Sequence, residues 1–197
     1  SPSGGGDTNL DPDDQDPTTP GAQYEDGTTV TLTAEPASGY EFGCWTDDLS
    51  GSINPTAITM NSNKNVIANF VLFDAGGLTN VGLDGADPGV TSISVSNYSI
   101  EDLVNVPSGL NPRKAYVVGS EGSGSFTLRF TGISSASDMK VYKVANGHWV
   151  LLQVTATANT IELTMEVGDP VIVFGLPKAP PAIGGEGYFP NIIGLLA

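Results

Sequence analysis

The chain has 197 residues, with 22 Asp and Glu against 7 Lys and Arg and a net charge of −15. Charge of that sign repels nucleic acid and anionic membrane surfaces. A single cysteine excludes an internal disulfide framework, and no stretch reaches the roughly 20 apolar residues of a membrane span. With 25 Gly and 14 Pro beside many Thr, Ser and Val, the composition predicts short strands joined by turns. The length suits one large or two small domains. No secretory leader opens the sequence, which predicts that Ser1 is a mature or cleaved end.

Residues 1–23 are rich in Gly, Pro and Asp and almost free of apolar side chains, so no core is expected from them. Within them, the run from Asp7 to Asp16 sets carboxyl and amide oxygens at alternate positions, the donor type that hard cations take. Asp7, Asn9, Asp11, Asp13 and Asp16 are the candidate calcium ligands. The plainer alternative is a solvated acidic linker extended by its own repulsion.

Residues 24–72 form a punctuated β pattern. Val30, Leu32 and Ala34 alternate into a turn at Pro36 to Gly39, followed by an aromatic strand with Tyr40, Phe42 and Trp45. A polar Gly/Asn/Pro loop leads to short apolar runs at Ile58 to Met60 and Val66 to Phe70. The Gly-rich passage 73–89 reads as a linker or a pair of loops.

Residues 90–178 carry six strand candidates: Val90 to Val95, Ala115 to Val118, Ser125 to Thr131, Met139 to Val144, Trp149 to Val154 and Thr160 to Met165. Phe126, Leu128 and Phe130 share one face and Thr127, Arg129 and Thr131 the other, as in a half-buried strand. A seventh run, Val171 to Phe174, is continuously apolar and predicts burial on both faces. Asn146-Gly147 between two candidates predicts a tight hairpin, because both positions tolerate positive φ. Only Ser99 to Val104 and Ser134 to Asp138 look briefly helical. Residues 179–197 are a Pro/Gly spacer followed by an apolar tail.

The pattern from Tyr24 to Phe70 resembles the divergent B-repeat module of internalin-type and related bacterial surface proteins. The matching residues include Gly27, Val30, Leu32, Thr33, Ala34, Pro36, Gly39, Tyr40, Phe42, Trp45, Ser50, Gly51, Asn54, Pro55, Ile58, Thr59, Met60, Lys64, Val66, Ala68 and Phe70. This resemblance covers about a quarter of the chain and implies a spacer or adhesion module outside the cell. Residues 90–178 look, more weakly, like β-sandwich domains of anchored bacterial surface proteins, through GSFTLRFTGI at 124–133, MKVYKV at 139–144, His148-Trp149 and NTIELTMEVGDPVIVFG at 159–175. No sorting motif follows, since Leu176-Pro177-Lys178-Ala179-Pro180 lacks the Thr-Gly that a sortase recognises. The acidic run resembles the calcium loops of thrombospondin type 3 repeats but lacks their central Asp-Gly-Asp-Gly turn.

In the B-repeat pattern a first strand precedes a Ser-Pro-x-Gly-Gly turn. Here Ser1-Pro-Ser-Gly-Gly-Gly occupies that turn, so the first strand is expected to be missing and the sheet open. The apolar tail, through Tyr188, Phe189, Ile192, Ile193, Leu195 and Leu196, is the candidate donor strand for another copy, which would build a head-to-tail homopolymer.

Enzymatic chemistry is not expected. The lone His148 flanks a turn, Cys44 reads as a small buried thiol, and the pairs Asp47-Asp48 and Glu101-Asp102 sit in loop-like settings without an apolar pocket. The aromatics Tyr40, Phe42 and Trp45, and a meeting of Tyr142 with Trp149 across a hairpin, keep a glycan-binding accessory module open. The expected fold is mainly β, a small β-grasp-like B-repeat module followed by an antiparallel β-sandwich. The expected function is a non-enzymatic extracellular, prokaryotic cell-surface spacer or adhesion module that assembles by strand donation. The alternative is a calcium-dependent adhesin or a glycan-binding module. Its partners would be further copies, other surface proteins or glycans, and calcium would be the one cofactor.

Overall fold

The computed structural model of the chain describes residues 5–16, 18, 20–145, 148–168 and 171–178. Fourteen strands follow in order: β1 (Gly6–Asp11), β2 (Thr28–Pro36), β3 (Tyr40–Asp47), β4 (Thr56–Met60), β5 (Val66–Asp74), β6 (Val81–Ala86) and β7 (Val90–Tyr98), then β8 (Leu110–Gly122), β9 (Ser125–Phe130), β10 (Lys140–Ala145), β11 (His148–Leu151), β12 (Thr155–Ala156), β13 (Ile161–Glu166) and β14 (Val171–Pro177). Among the described residues the helical content is two single 3-10 turns, Ile100–Asp102 and Ala136–Asp138, inside the two stretches that look helical in sequence.

The strands form three sheets, ordered β1-β2-β4, β11-β10-β14-β8-β7-β5-β3 and β12-β13-β9-β6. The seven-stranded and four-stranded sheets face each other as a β-sandwich. Its core takes Phe126, Leu128 and Phe130 from β9 and Ile161, Leu163 and Met165 from β13; β7, β8, β10 and β14 meet them with Ile93, Val95, Tyr116, Val118, Val141, Ile172 and Phe174. At the centre, the Tyr116 ring lies 5.0 Å from Phe130 and 5.6 Å from Phe174. Phe174 and Val173 are both fully buried, as the continuously apolar run at β14 predicts. The β10–β11 pairing ends at Ala145 opposite His148, and so brackets the Asn-Gly pair, which lies outside the described residues.

The described residues up to 72 build a smaller, thinner unit. The sheet β1-β2-β4 packs on β3 and β5 through Leu32, Ala34, Trp45 and Ala68, with Leu10, Phe42, Ile58, Val66 and Phe70 at the margin.

Two expectations are corrected here. The supposed coreless acidic segment supplies β1, which pairs with β2 from Gly6 opposite Pro36 to Asp11 opposite Thr31. The flank of β2 expected to be open is therefore filled, by a strand at Gly6–Asp11. Leu10 alone anchors β1 to the small core, while Asp7, Asn9 and Asp11 alternate outwards. Glycine is required where β1 crosses Phe70, since a Cβ on Gly6 would lie 2.5 Å from the Glu35 carbonyl and 2.7 Å from the Phe70 ring.

The passage read as linker, 73–89, contains the end of β5 and all of β6. β5 pairs with β7 in parallel, Leu72–Asp74 against Ser92–Ser94, whereas the other pairs among the described residues are antiparallel. Parallel neighbours need a crossover. β6 serves as that crossover by stepping to the opposite sheet, where it pairs with β9. The small unit thus shares a continuous sheet with the sandwich, and Val71 of β5 is buried in the sandwich core. Gly43 in β3 keeps the junction close, because a Cβ there would sit 3.2 Å from Val71 and 3.4 Å from the Ala86 carbonyl.

Candidate functional site

The loop between β3 and β4 explains why the motif residues of the first unit are what they are. Trp45 is 2% exposed, and its indole N–H donates to the Ile53 carbonyl at 2.9 Å while its backbone N–H donates to Gly51 at 2.8 Å. Asn54 completes the wrap. Its Oδ1 accepts from the Ala34 N–H and its Nδ2 donates to the Ala34 carbonyl, both at 2.8 Å. The side-chain amide thereby stands in for a strand partner of β2. The Phe42 ring lies 4.9 Å from Trp45 and 6.2 Å from Phe70, so Phe42 and Trp45 pack into the small core, while Tyr40 is half-buried at the start of β3. Tyr142 and Trp149 do meet across β10 and β11, at 6.0 Å and 68°. The Trp149 N–H is spent on the Val104 carbonyl at 3.0 Å, and the two rings meet edge to face without a shared flat surface.

Cys44 is buried in β3. Burial pushes its thiol up, with the Asp87 charge adding to the rise and a hydrogen bond from Asn69 opposing it, so the thiolate is suppressed. His148 is exposed at the start of β11. The two residues stand on opposite edge strands of the seven-stranded sheet, about 29 Å apart at roughly 4.8 Å per strand. They cannot form a nucleophile–base pair.

The five candidate calcium ligands do not converge. Asp7, Asn9 and Asp11 lie on the exposed side of an extended strand, where Asp7 and Asp11 are about 13 Å apart; carboxylates so separated cannot share an ion held at about 2.4 Å. Asp13 and Asp16 follow in the loop up to Tyr24. There the Asp14 carboxylate accepts from the Asp16 and Gln23 backbone N–H groups, and the Tyr24 hydroxyl donates to the Pro12 carbonyl. Burial, then Asp14 and Asp13, raise the Tyr24 hydroxyl above its ordinary value. Among the described residues no group of three or more His, Cys, Asp or Glu side chains is placed to hold a metal ion. The candidate assembly residues Tyr188, Phe189, Ile192, Ile193, Leu195 and Leu196 lie outside the described residues.

Two surface features complete the description. A groove of about 600 Å³ opens between β1, β2, β4 and β5, with Leu10, Val30, Leu32, Ile58 and Val66 in its apolar lining and Asp7 and Lys64 among its polar residues. At the other side of the molecule, Arg113, Lys114, Lys140 and Lys178 gather at one end of β8, β10 and β14 and are all exposed. Sequence reasoning missed this cationic end. The available signal was the position of the seven Lys and Arg residues, six of which fall after residue 112.

Residues 15–72 match the divergent InlB B-repeat domain family. That match and the fold agree on a B-repeat-like module in the first part of the chain, and they point to a bacterial surface repeat module. No curated protein and no solved structure matches the chain. No helix among the described residues is long and apolar enough to cross a membrane.

Proposed function

We propose that this chain is a non-enzymatic structural segment of a prokaryotic cell-surface protein, working outside the cell as a spacer that holds an adhesive or interacting part away from the envelope. The observation that carries this reading is the B-repeat match over 15–72 in a unit whose β5 is hydrogen-bonded directly to β7 of the sandwich. A hinge between two beads would transmit orientation poorly, whereas a shared sheet keeps both units in line. β14 adds to this. It lies between β10 and β8, bonded to β8 from Val171 to Pro177 and to β10 from Val171 to Gly175, so tension entering at Pro177 meets the β8 ladder first and both ladders from Gly175 inwards. The separation of His148 from Cys44 and the suppressed thiol support a non-catalytic role.

Stretching single molecules of the full chain between handles at residues 5 and 178 tests the proposal. A spacer gives two rupture events, the small unit first and the sandwich at higher force. Featureless extension at low force would refute it.

A further inference from the structure

We infer that the cationic end of the seven-stranded sheet is a docking surface for the acidic β1 face of a second copy of this chain. The chain places its few positive charges unevenly. Residues 1–74 hold twelve acidic side chains and one cation, Lys64, while residues 110–145 hold Arg113, Lys114, Arg129, Lys140 and Lys143 against Glu121 and Asp138. On a protein of net charge −15 this is a marked polarity along the molecule, with β1 in the sheet of the small unit and the cations on strands far from the β3 edge.

Pairing gives the second observation. Arg129, on the four-stranded sheet, is met within its own chain by Asp84 of β6 and Glu162 of β13. Arg113, Lys114, Lys140 and Lys178 make no such ion pair among the described residues, although Glu101 lines the same groove as Arg113 and Lys114, and Asp138 lies two residues from Lys140.

The backbone arranges these cations deliberately. Lys140 of β10 is opposite Gly175 of β14, which is opposite Pro112 of β8, and the register slips there so that Arg113 is the extra residue of a bulge. A bulge re-aims side chains, and here it leaves two successive cations, Arg113 and Lys114, exposed. Lys140 and Arg113 are then about 10 Å apart across three strands. Lys178 is held beside them by its N–H bond to the Gly109 carbonyl at 2.8 Å.

The complementary surface on this same chain is the outer row of β1, where Asp7 and Asp11 are exposed about 13 Å apart with Asp13 just beyond. The rows are of similar length and opposite charge. They also lie on different parts of the molecule, so one copy can use both at once. Repetition of such a heterologous contact does not close, and gives an open head-to-tail chain. The contact depends on exposed charge and not on mechanical strength, so it holds whether or not the chain acts as a spacer.

Sedimentation velocity of the full chain over a concentration series tests it. At about 0.1 M salt the screening length is ~10 Å, which damps repulsion between two acidic bodies yet leaves touching charges attractive; at about 1 M it is ~3 Å. Concentration-dependent species are expected at the lower salt and monomer at the higher. R113E/K114E should weaken association by about tenfold or more. D11K/D13K should weaken it as well, although it makes the protein less negative; if net repulsion governed, that variant would associate more. Mixing the two variants restores facing charges of opposite sign and should recover association. All four positions are exposed, and circular dichroism verifies the fold of each variant. A wild type that stays monomeric at 0.1 M salt, loss in R113E/K114E without loss in D11K/D13K, or a mixture that fails to recover would each overturn the proposal; the second outcome would assign the cationic end to a different acidic surface of the same chain.

Discussion

The two regions of this molecule are held together by different means. The sandwich has a wide interior with Tyr116, Phe130 and Phe174 in mutual contact and both sheets contributing buried aliphatic residues. The small unit has a core cluster of just Leu32, Ala34, Trp45 and Ala68, with Val30 and Cys44 buried beside it, and closes that core with hydrogen bonds from a loop to Trp45 and Ala34. A thin layer cannot exclude water by bulk alone, so it relies on side-chain amides and indole geometry where the sandwich relies on packing density. Stability should therefore be graded, with the small unit the first to open.

Each region carries one tryptophan, Trp45 in the small unit and Trp149 on β11 of the sandwich, so fluorescence can follow both. The largest effect is expected from Phe130→Ala, which removes a fully buried ring and should cost about 4 kcal/mol. Because the small unit is joined to the sandwich sheet, Trp45 and Trp149 should report unfolding together in that variant. A Trp45 signal that survives loss of the sandwich would show that the small unit stands alone.

Asn54→Ala comes next. It strands the N–H and carbonyl of Ala34, which is 3% exposed, at a cost of about 2 kcal/mol. Here the loss should be local. Cys44 should be silent to thiol reagents in the wild type and react in Asn54→Ala at the rate at which the small unit opens, with the Trp149 signal unchanged. Equal thiol reactivity in the two proteins would mean that Asn54 does not close this core.

The smallest effect concerns acid. The Asp87 carboxylate accepts from the Ser125 N–H at 2.8 Å and hydroxyl at 2.9 Å, and these bonds hold it below its ordinary value of 3.8. A depressed folded value stabilises the protein above the unfolded value and the benefit is lost as pH falls through the folded one. Thermal melts of wild type and Asp87→Asn should differ most near neutral pH and converge below 3.8. A gap that persists at lower pH would assign the effect to shape and not to charge.

Much of this was legible in the sequence, and the exceptions have physical causes. The run from Tyr24 to Phe70 reads clearly because its turn residues and its core tryptophan are tied to one another locally. Phe126, Leu128 and Phe130 betray β9 by strict alternation. β1 is hidden because an edge strand needs only Leu10 to hold it, and its acidic exposed row looks like linker. β6 is hidden because Gly82 and Gly85 interrupt its pattern, with Gly85 at a positive φ of 147° beside a bulge. The parallel junction of β5 with β7 and the gathering of Arg113 with Lys140 depend on pairings between distant parts of the chain, and no local window contains them.

The strand β5 runs from Val66 to Asp74, while the family match stops at residue 72. A boundary drawn by similarity therefore cuts through a strand. A protein trimmed there would present the flank of β7 bare on one side and the cut end of β5 on the other, each a template for unwanted strand addition. Swapping this repeat for a relative would need to carry β6 and β7 as far as Ser94 with it, so the length matched by similarity and the length that folds together are different stretches of the same chain.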